Sequence, residues 1–352
     1  MDTNREIKKH QELLLKKMSS VLIVYATLII STSVGAVSAN LILLLLCVSH
    51  LKLRTDTWGL TLNLSLCDLI FGISVISVAI YSCLEGGTFM NNGVACKLVG
   101  FLLVLLQLAS INSLVWSTVD KFTEICFPLR YAQIVTKRRI WIVLFFLWIY
   151  AIVVAALPFM GFGDYSFNEE VYVCLPSLNS TTMAYSMMIL SAGVITPISA
   201  ISILYISIIH IARSQAKRGT FVCNDQHCYY VPIRSYFRNT LILIFSAFYL
   251  LICWIPSVTI SLYEIFYTDN VPSILQMASI WLIVLTSGIN PWVNSLAQRK
   301  YRKALLESWR KIKKMFQDMG SSSETPSENE RHSSIQTPQS LPGHNMMNSI
   351  QT

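Results

Sequence analysis

Charged side chains are missing from this chain over stretches long enough to cross a lipid bilayer. No Asp, Glu, Lys or Arg occurs between Lys17 and Lys52, Lys97 and Asp120, Arg139 and Asp164, Glu170 and Arg213, Arg238 and Glu264, or Asp269 and Arg299. From Leu60 to Cys83 the one interruption is Asp68, and these six gaps with that stretch make seven segments. A hydrocarbon core about 30 Å thick takes roughly 20 helical residues at about 1.5 Å of rise each. Inside lipid every backbone N–H and C=O needs a partner within the protein, and the segments lack two-residue alternation, so helices rather than barrel strands are predicted. Mean hydropathy of +0.53, with only 13% charged residues, excludes a soluble domain of this size. The first segment is too long for a secretory h-region and lacks a small-residue cleavage site, so it is predicted to stay in the membrane.

Orientation follows from the short loops, because Lys and Arg resist translocation. Lys52 and Arg54 follow the first segment, Lys121, Arg130, Lys137, Arg138 and Arg139 the third, Arg213, Lys217, Arg218, Arg234 and Arg238 the fifth, and Arg299, Lys300, Arg302 and Lys303 the seventh. The alternate loops carry Glu85, then Asp164, Glu169 and Glu170, then Glu264 and Asp269. The amino terminus is therefore expected outside and the carboxyl terminus in the cytoplasm, at the plasma membrane. Arg5, Lys8, Lys9, Lys16 and Lys17 at the amino terminus oppose this, and every later loop outvotes them. The net charge of +8 reads mainly as a topology signal; no zinc or recognition-helix pattern supports nucleic-acid binding.

The predicted fold is all-α: a seven-transmembrane helix bundle with a short amphipathic cytoplasmic eighth helix. Its divisions are an extracellular tail over 1–18, the seven helices over 19–297, the amphipathic helix over 298–318 and a disordered Ser/Pro/Gln-rich tail over 319–352. In the amphipathic segment Tyr301, Leu305, Trp309, Ile312 and Phe316 recur at helical spacing among Arg302, Lys303, Arg310, Lys311 and Lys314, the pattern of a helix lying on the inner lipid surface. No nucleotide loop, zinc-protease motif or nucleophile elbow is present, so no enzymatic activity is expected. The Cys223–Cys228 run has ligand types but no standard zinc spacing, and reads as reduced loop cysteines.

A charge in the hydrocarbon is costly and normally faces an interior cavity, which makes Asp68 the first functional candidate. A protonated carboxyl bonded to a neighbouring helix is an equal reading. Pro158, Pro197, Pro256 in Cys253-Trp254-Ile255-Pro256 and Pro291 after Asn290 mark predicted kinks, each removing a backbone bond.

Taken together, seven segments, Asp68, Cys96, Trp148, Pro197, Cys-Trp-Ile-Pro and Asn-Pro resemble a rhodopsin-type (class A) G-protein-coupled receptor, over about Ser19 to Asp318. Within that family Thr61-Leu-Asn-Leu-Ser-Leu-Cys-Asp68 and Ala156-Leu-Pro-Phe-Met-Gly161 loosely resemble the glucose-dependent insulinotropic, adenosine and cannabinoid receptors. The resemblance implies a polar pair at Asn40 and Asp68, and a disulfide between Cys96 and Cys174, with Cys83 as a competing partner. It also implies a sodium ion among Asp68, Ser110, Ser287 and Asn290 beneath Trp254; oxygen donors suit such a hard cation, and hydrogen bonding alone explains the same residues. No other cofactor is expected.

Two departures fall on the parts that carry activation in the family. Asp120-Lys121-Phe122 stands where the family has Asp-Arg-Tyr, and lysine lacks the planar fork of arginine. Asn290-Pro291-Trp292-Val293-Asn294 ends in Asn294 where the family places a tyrosine that reaches toward Tyr205, and asparagine is too short for that reach. Tyr236 replaces an acidic residue, so no carboxylate is expected there to pair with Lys121.

By the same resemblance Leu103, Gln107, Ile189, Gly193, Trp254, Ser257, Ser261 and Trp281 line the ligand pocket. Leu103 stands where amine receptors place an aspartate, so a cationic amine has no obvious counter-ion; a retinal Schiff base lacks its lysine near Val284. The short amino-terminal tail suggests no large ectodomain, and a small or lipid-like ligand is expected, its identity open. Asn179-Ser-Thr is a candidate glycosylation site, or a sequon too near the membrane to be used.

The expected function is a receptor passing an extracellular signal to a heterotrimeric G protein. A receptor-like protein acting through arrestin or a partner receptor is the alternative that Lys121 and Asn294 raise. A transporter or channel is a distant third, because Asp68 is the lone ionisable group in mid-membrane. Serines and threonines of the tail, Ser321 to Thr337, are candidate receptor-kinase sites that would present phosphate to arrestin, against a default of a solvated tail.

Overall fold

In the computed structural model of the protein, residues 2–85, 93–177, 183–218, 221–224, 227–230, 233–267, 271–296 and 298–322 are described, with side chains for 20–81, 93–177, 183–211, 213–214, 244–267, 271–296 and 298–318. Among them, seven helices are long and apolar enough to span a membrane: Ser20–Ser49, Trp58–Tyr81, Gly93–Cys126, Lys137–Met160, Met183–Ile211, Ile244–Phe266 and Ser273–Leu296. They are called the first to seventh spans. The chain divides into two compact units, Met1–Leu306 and Glu307–Thr352.

The first span continues an unbroken helix that starts at Asp2, where the sequence suggested a tail. The helix after the seventh span runs Arg299–Ser322. In the first unit its Tyr301 and Ala304 are buried with Leu43, Leu46 and Leu296; burial pushes the Tyr301 phenol up to about 12. In the second unit Trp309, Ile312 and Phe316 are exposed. The cysteine run expected in a loop forms a hairpin, β3 (Phe221–Asn224) with β4 (His227–Tyr230), in which Cys223 pairs with Cys228 across the ladder.

Large apolar side chains such as Phe145, Phe146, Ile203, Ile206, Phe245 and Phe248 point outward from the spans. In water such a surface would aggregate; in lipid it is the solvated face. The inward face is selective. The third span is central, packing on the second, fourth and fifth, while the first packs on the second and seventh. Because lipid is as apolar as leucine, polar bonds between helices fix which faces meet. Trp148 Nε1 donates to Asn63 Oδ1 at 2.8 Å and Asn63 Nδ2 to Ser113 Oγ at 2.7 Å, joining the fourth, second and third spans. Trp281 Nε1 donates to Thr32 Oγ1 at 2.9 Å, joining the seventh to the first.

Between the fourth and fifth spans the chain folds into a hairpin, β1 (Tyr165–Asn168) with β2 (Val173–Pro176). Gly161, at φ 87°, ends the turn after the fourth span in a conformation that side chains disfavour. At Gly100 the hairpin lies so close that an added Cβ would stand 2.6 Å from the Tyr165 ring. Tyr165 is buried, donating to Ala155 O at 2.9 Å and meeting the Tyr185 hydroxyl at 3.0 Å; burial raises its pKa well above the usual range. The fifth span contains a π-helical stretch, Ile189–Ile195, after the α-helical Met183–Met188 and ahead of Pro197, and the seventh closes with another, Trp292–Leu296, after Pro291. Such wide turns commonly accompany functional sites.

Candidate functional site: an apolar cavity and two buried polar clusters

The third span begins beside a disulfide. Cys96 is bonded to Cys174 of β2, with their Cα atoms 5.4 Å apart, which fixes the hairpin over this end of the bundle. The side chain of Cys83 lies outside the described residues. Asn168 closes the hairpin: its Oδ1 accepts from Glu170 N at 2.9 Å and Val171 N at 3.3 Å, and Tyr172 takes a positive φ of 56°.

Beneath the hairpin is a cavity of about 1010 Å³. Leu103 and Gln107 of the third span, Ile189 and Gly193 of the π-helical stretch, and Trp254, Ser257 and Ser261 of the sixth line it. At Gly193 an added Cβ would meet Leu108 Cδ2 at 2.8 Å, so a side chain there would crowd the third span. Trp281 does not line the cavity. Its indole is turned to Thr32 on the first span, and Ile280, Ile283 and Val284 of the same helix face inward instead.

Sequence reasoning missed the polar rim. Glu264, assigned above to a loop, lies in the last turn of the sixth helix, which extends to Phe266, and it lines the cavity. Gln276 of the seventh span, buried, donates Nε2 to Glu264 Oε1 at 3.0 Å and to Val271 O at 3.3 Å, while its Oε1 accepts from Asn168 Nδ2 at 3.4 Å. Hairpin, sixth and seventh spans are thereby linked. The available signal was phase: Glu264 falls ten positions after Trp254, about 1000° of rotation at 100° per residue, which returns it to within about 80° of that side chain.

Below Trp254 lies the first buried cluster. Asp68 accepts from Ser110 Oγ at 2.8 Å and from Asn290 Nδ2 at 2.8 Å, and Asn290 Oδ1 accepts from Tyr249 of the sixth span. Asn40 Nδ2 donates to Ala36 O at 2.9 Å and to Ser287 O at 3.0 Å. Ser287 Oγ stands beside the carboxylate without a completed hydrogen bond, and Asn40 Oδ1 also has no protein partner. A buried hydroxyl left unengaged next to a carboxylate, with the Ser110 hydroxyl alongside, fits a hard monovalent cation, although Asn290 turns its amide nitrogen rather than its oxygen to the carboxylate.

The second cluster joins the two departures noted in the sequence. Lys121 Nζ donates to Asn294 Oδ1 at 3.1 Å, tying the third span to the seventh, and the same ammonium faces Tyr205. Tyr205 is fully buried, and its hydroxyl shares a 3.0 Å hydrogen bond with Ser246 of the sixth span. Asp120 does not pair with Lys121; its Oδ1 accepts from Tyr131 at 2.7 Å. Burial, then the Asp120 carboxylate, holds the Tyr131 phenol above its ordinary pKa and keeps it a donor. The Tyr236 side chain and Asn179 lie outside the described residues.

Seven spans, a disulfide tethering the hairpin to the third of them, a cavity beneath it and a buried Asp–Asn cluster define a seven-transmembrane receptor. The family model "7 transmembrane receptor (rhodopsin family)" matches residues 39–293, and the chain belongs to that family of G-protein-coupled receptors. Among curated proteins it is similar to adenosine receptor A3 of Ovis aries, 24% identical over 288 residues covering 81% of this chain and 89% of that one. It is similar also to histamine H2 receptor of Cavia porcellus, 27% identical over 279 residues, covering 76% and 74%, and to melatonin receptor type 1C of Xenopus laevis, 21% over 282 residues, covering 79% and 65%. The protein is thus a multi-pass membrane receptor, and its relatives are receptors rather than enzymes.

Proposed function

We propose that the chain receives a small or lipid-like extracellular ligand in the cavity under the hairpin and passes the signal to a heterotrimeric G protein at the opposite, cytoplasmic end. The observation that carries this reading is the continuous set of contacts between the two ends. Trp254 lines the cavity; Tyr249 of the same helix bonds Asn290, which bonds Asp68; one turn beyond Asn290, Asn294 bonds Lys121. From Gln107 to Lys121 the third span covers about 21 Å. A ligand binding one packing of the sixth and seventh spans more tightly shifts the population by its differential affinity. The π-turn at Trp292–Leu296 follows Pro291 and carries Asn294 of the second cluster, directly after Asn290 of the first.

In this reading Asp68, Ser110, Ser287 and Asn290 would hold a sodium ion, which when bound supplies a positive charge opposite the carboxylate. The Ser110 and Asn290 donors hold Asp68 in place, and the Ser287 hydroxyl stands beside it. Receptor kinases and arrestin are further proposed partners of the carboxyl-terminal tail, with Asn179 as the glycan acceptor on the outer face.

The Lys121–Asn294 bond also favours a second reading, in which the closed packing is held strongly enough that coupling is weak and arrestin or a partner receptor reads the protein. Nucleotide exchange on G proteins of each class, in cells expressing the wild type or the double variant Lys121→Arg, Asn294→Tyr, separates them. Exchange by the wild type above untransfected cells supports direct coupling. Exchange by the double variant alone supports the second reading, and exchange by neither contradicts both the ligand-to-G-protein route and its restoration.

A further inference from the structure

The cavity is charged in one sense only. Among the described residues its lining includes two carboxylates, Glu170 and Glu264, and no Lys, Arg or His. The rest is largely aliphatic and aromatic, from Phe71 and Val75 through Ile283 and Val284 to Trp254 at the floor. The carboxylates sit at the hairpin end and the apolar side chains extend below them, so the cavity has an acidic mouth and an apolar interior.

The rim amides do not soften this charge. Gln276 commits its amide N–H groups to Glu264 and to Val271 O, and its oxygen accepts from Asn168. With the Gln276 amide engaged in this way, the carboxylate of Glu264 is the rim acceptor left for an occupant. Glu264 is half-buried, takes that one hydrogen bond on Oε1, and has no described donor on Oε2. A carboxylate in such a place is stabilised by a cation and by charge-assisted hydrogen bonds, whereas an anionic head group at the rim would sit beside two like charges. Leu103, at the level where a counter-ion is absent, leaves the middle of the cavity to hydrocarbon.

Resting on the receptor reading above, we propose that the ligand is a lipophilic amine whose ammonium pairs with Glu264 at the cavity mouth while its apolar body extends toward Trp254. The cavity selects against fatty acids and other anion-headed lipids of the same chain length, and against neutral alcohols to a lesser degree. Glu170, exposed on the hairpin, steers the cation inward without fixing it.

The test uses the full chain in zwitterionic lipid nanodiscs, titrated with decylamine, decanol and decanoate while tryptophan fluorescence and thermal unfolding are followed; empty nanodiscs correct for partition into lipid. Decylamine is expected to bind saturably and at least about tenfold more tightly than the other two, and Glu264→Gln to lose about tenfold in decylamine affinity, the scale of one charged hydrogen bond. Glu264→Asp should retain most of it, and Glu170→Gln should change it by less than about threefold. Equal or tighter binding of decanol or decanoate to the wild type, the absence of saturable decylamine binding, or unchanged affinity in Glu264→Gln would each overturn the proposal. The wild-type head-group series stands even if a variant fails to fold. Binding is read without a G protein, so failure of nucleotide exchange would break the receptor reading while leaving these outcomes intact.

Discussion

At the disulfide end the third, sixth and seventh spans stand apart around a cavity of about 1010 Å³, and the rim side chains leave the Glu264 carboxylate as the acceptor for an occupant. At the basic end the third and seventh spans are joined directly, Lys121 to Asn294, and the fifth and sixth meet through Tyr205 and Ser246. Both ends use polar bonds between helices that lipid alone would not align. The difference is whether partners are complete. The cavity end leaves Glu264 with capacity for a further donor, which suits binding of an occupant; the basic end spends its ammonium internally, which suits a closed resting packing. Between them the Asp68 cluster belongs to both.

Breaking that middle cluster should have the largest effect. Asp68→Ala removes the acceptor of Ser110 and Asn290 and strands two buried donors, and is expected to cost about 2–4 kcal/mol. Its check is thermal unfolding of the purified chain in nanodiscs. A loss under about 1 kcal/mol would mean the ends are held independently. Next comes the paired change Cys96→Ser, Cys174→Ser, which frees the hairpin. About 2–3 kcal/mol of stability should go, judged from disulfides elsewhere, and decylamine binding should weaken while basal nucleotide exchange stays unchanged; equal damage to both would erase the division between the ends.

Trp148→Phe strands Asn63 Oδ1 near the middle of the bundle and should cost about 1–2 kcal/mol, with neither ligand affinity nor exchange affected beyond that loss. The smallest effect is expected at Trp281→Phe. It removes the bond to Thr32, for about 1 kcal/mol at most, and should leave cavity affinity within about twofold because that ring does not line it.

Much of this architecture was legible before any coordinates. Six charge-free gaps, and a seventh stretch broken only by Asp68, locate the seven spans because the cost of a charge in hydrocarbon is large and local. Asp68 stood out for the same reason. The Cys96–Cys174 pairing came through resemblance, since sequence spacing alone cannot pair cysteines. What escaped notice depends on helix phase near a terminus and on contacts distant in sequence. Glu264 reads as a loop charge until the sixth helix is seen to continue to Phe266. Trp281 and Val284 sit one turn apart, yet one faces Thr32 and the other the cavity. Lys121 and Asn294 each read as a loss relative to the family, and only folding shows that they face one another across a separation of 173 residues.

The central claim is that this bond holds the basic end closed. Its most direct test is the basal rate at which purified wild type and Asn294→Ala, in nanodiscs without ligand, promote nucleotide exchange on a G protein. A rate several-fold higher is expected for Asn294→Ala, consistent with removing about 1 kcal/mol from the closed packing. Equal rates, or a slower variant with unchanged thermal stability, would contradict it.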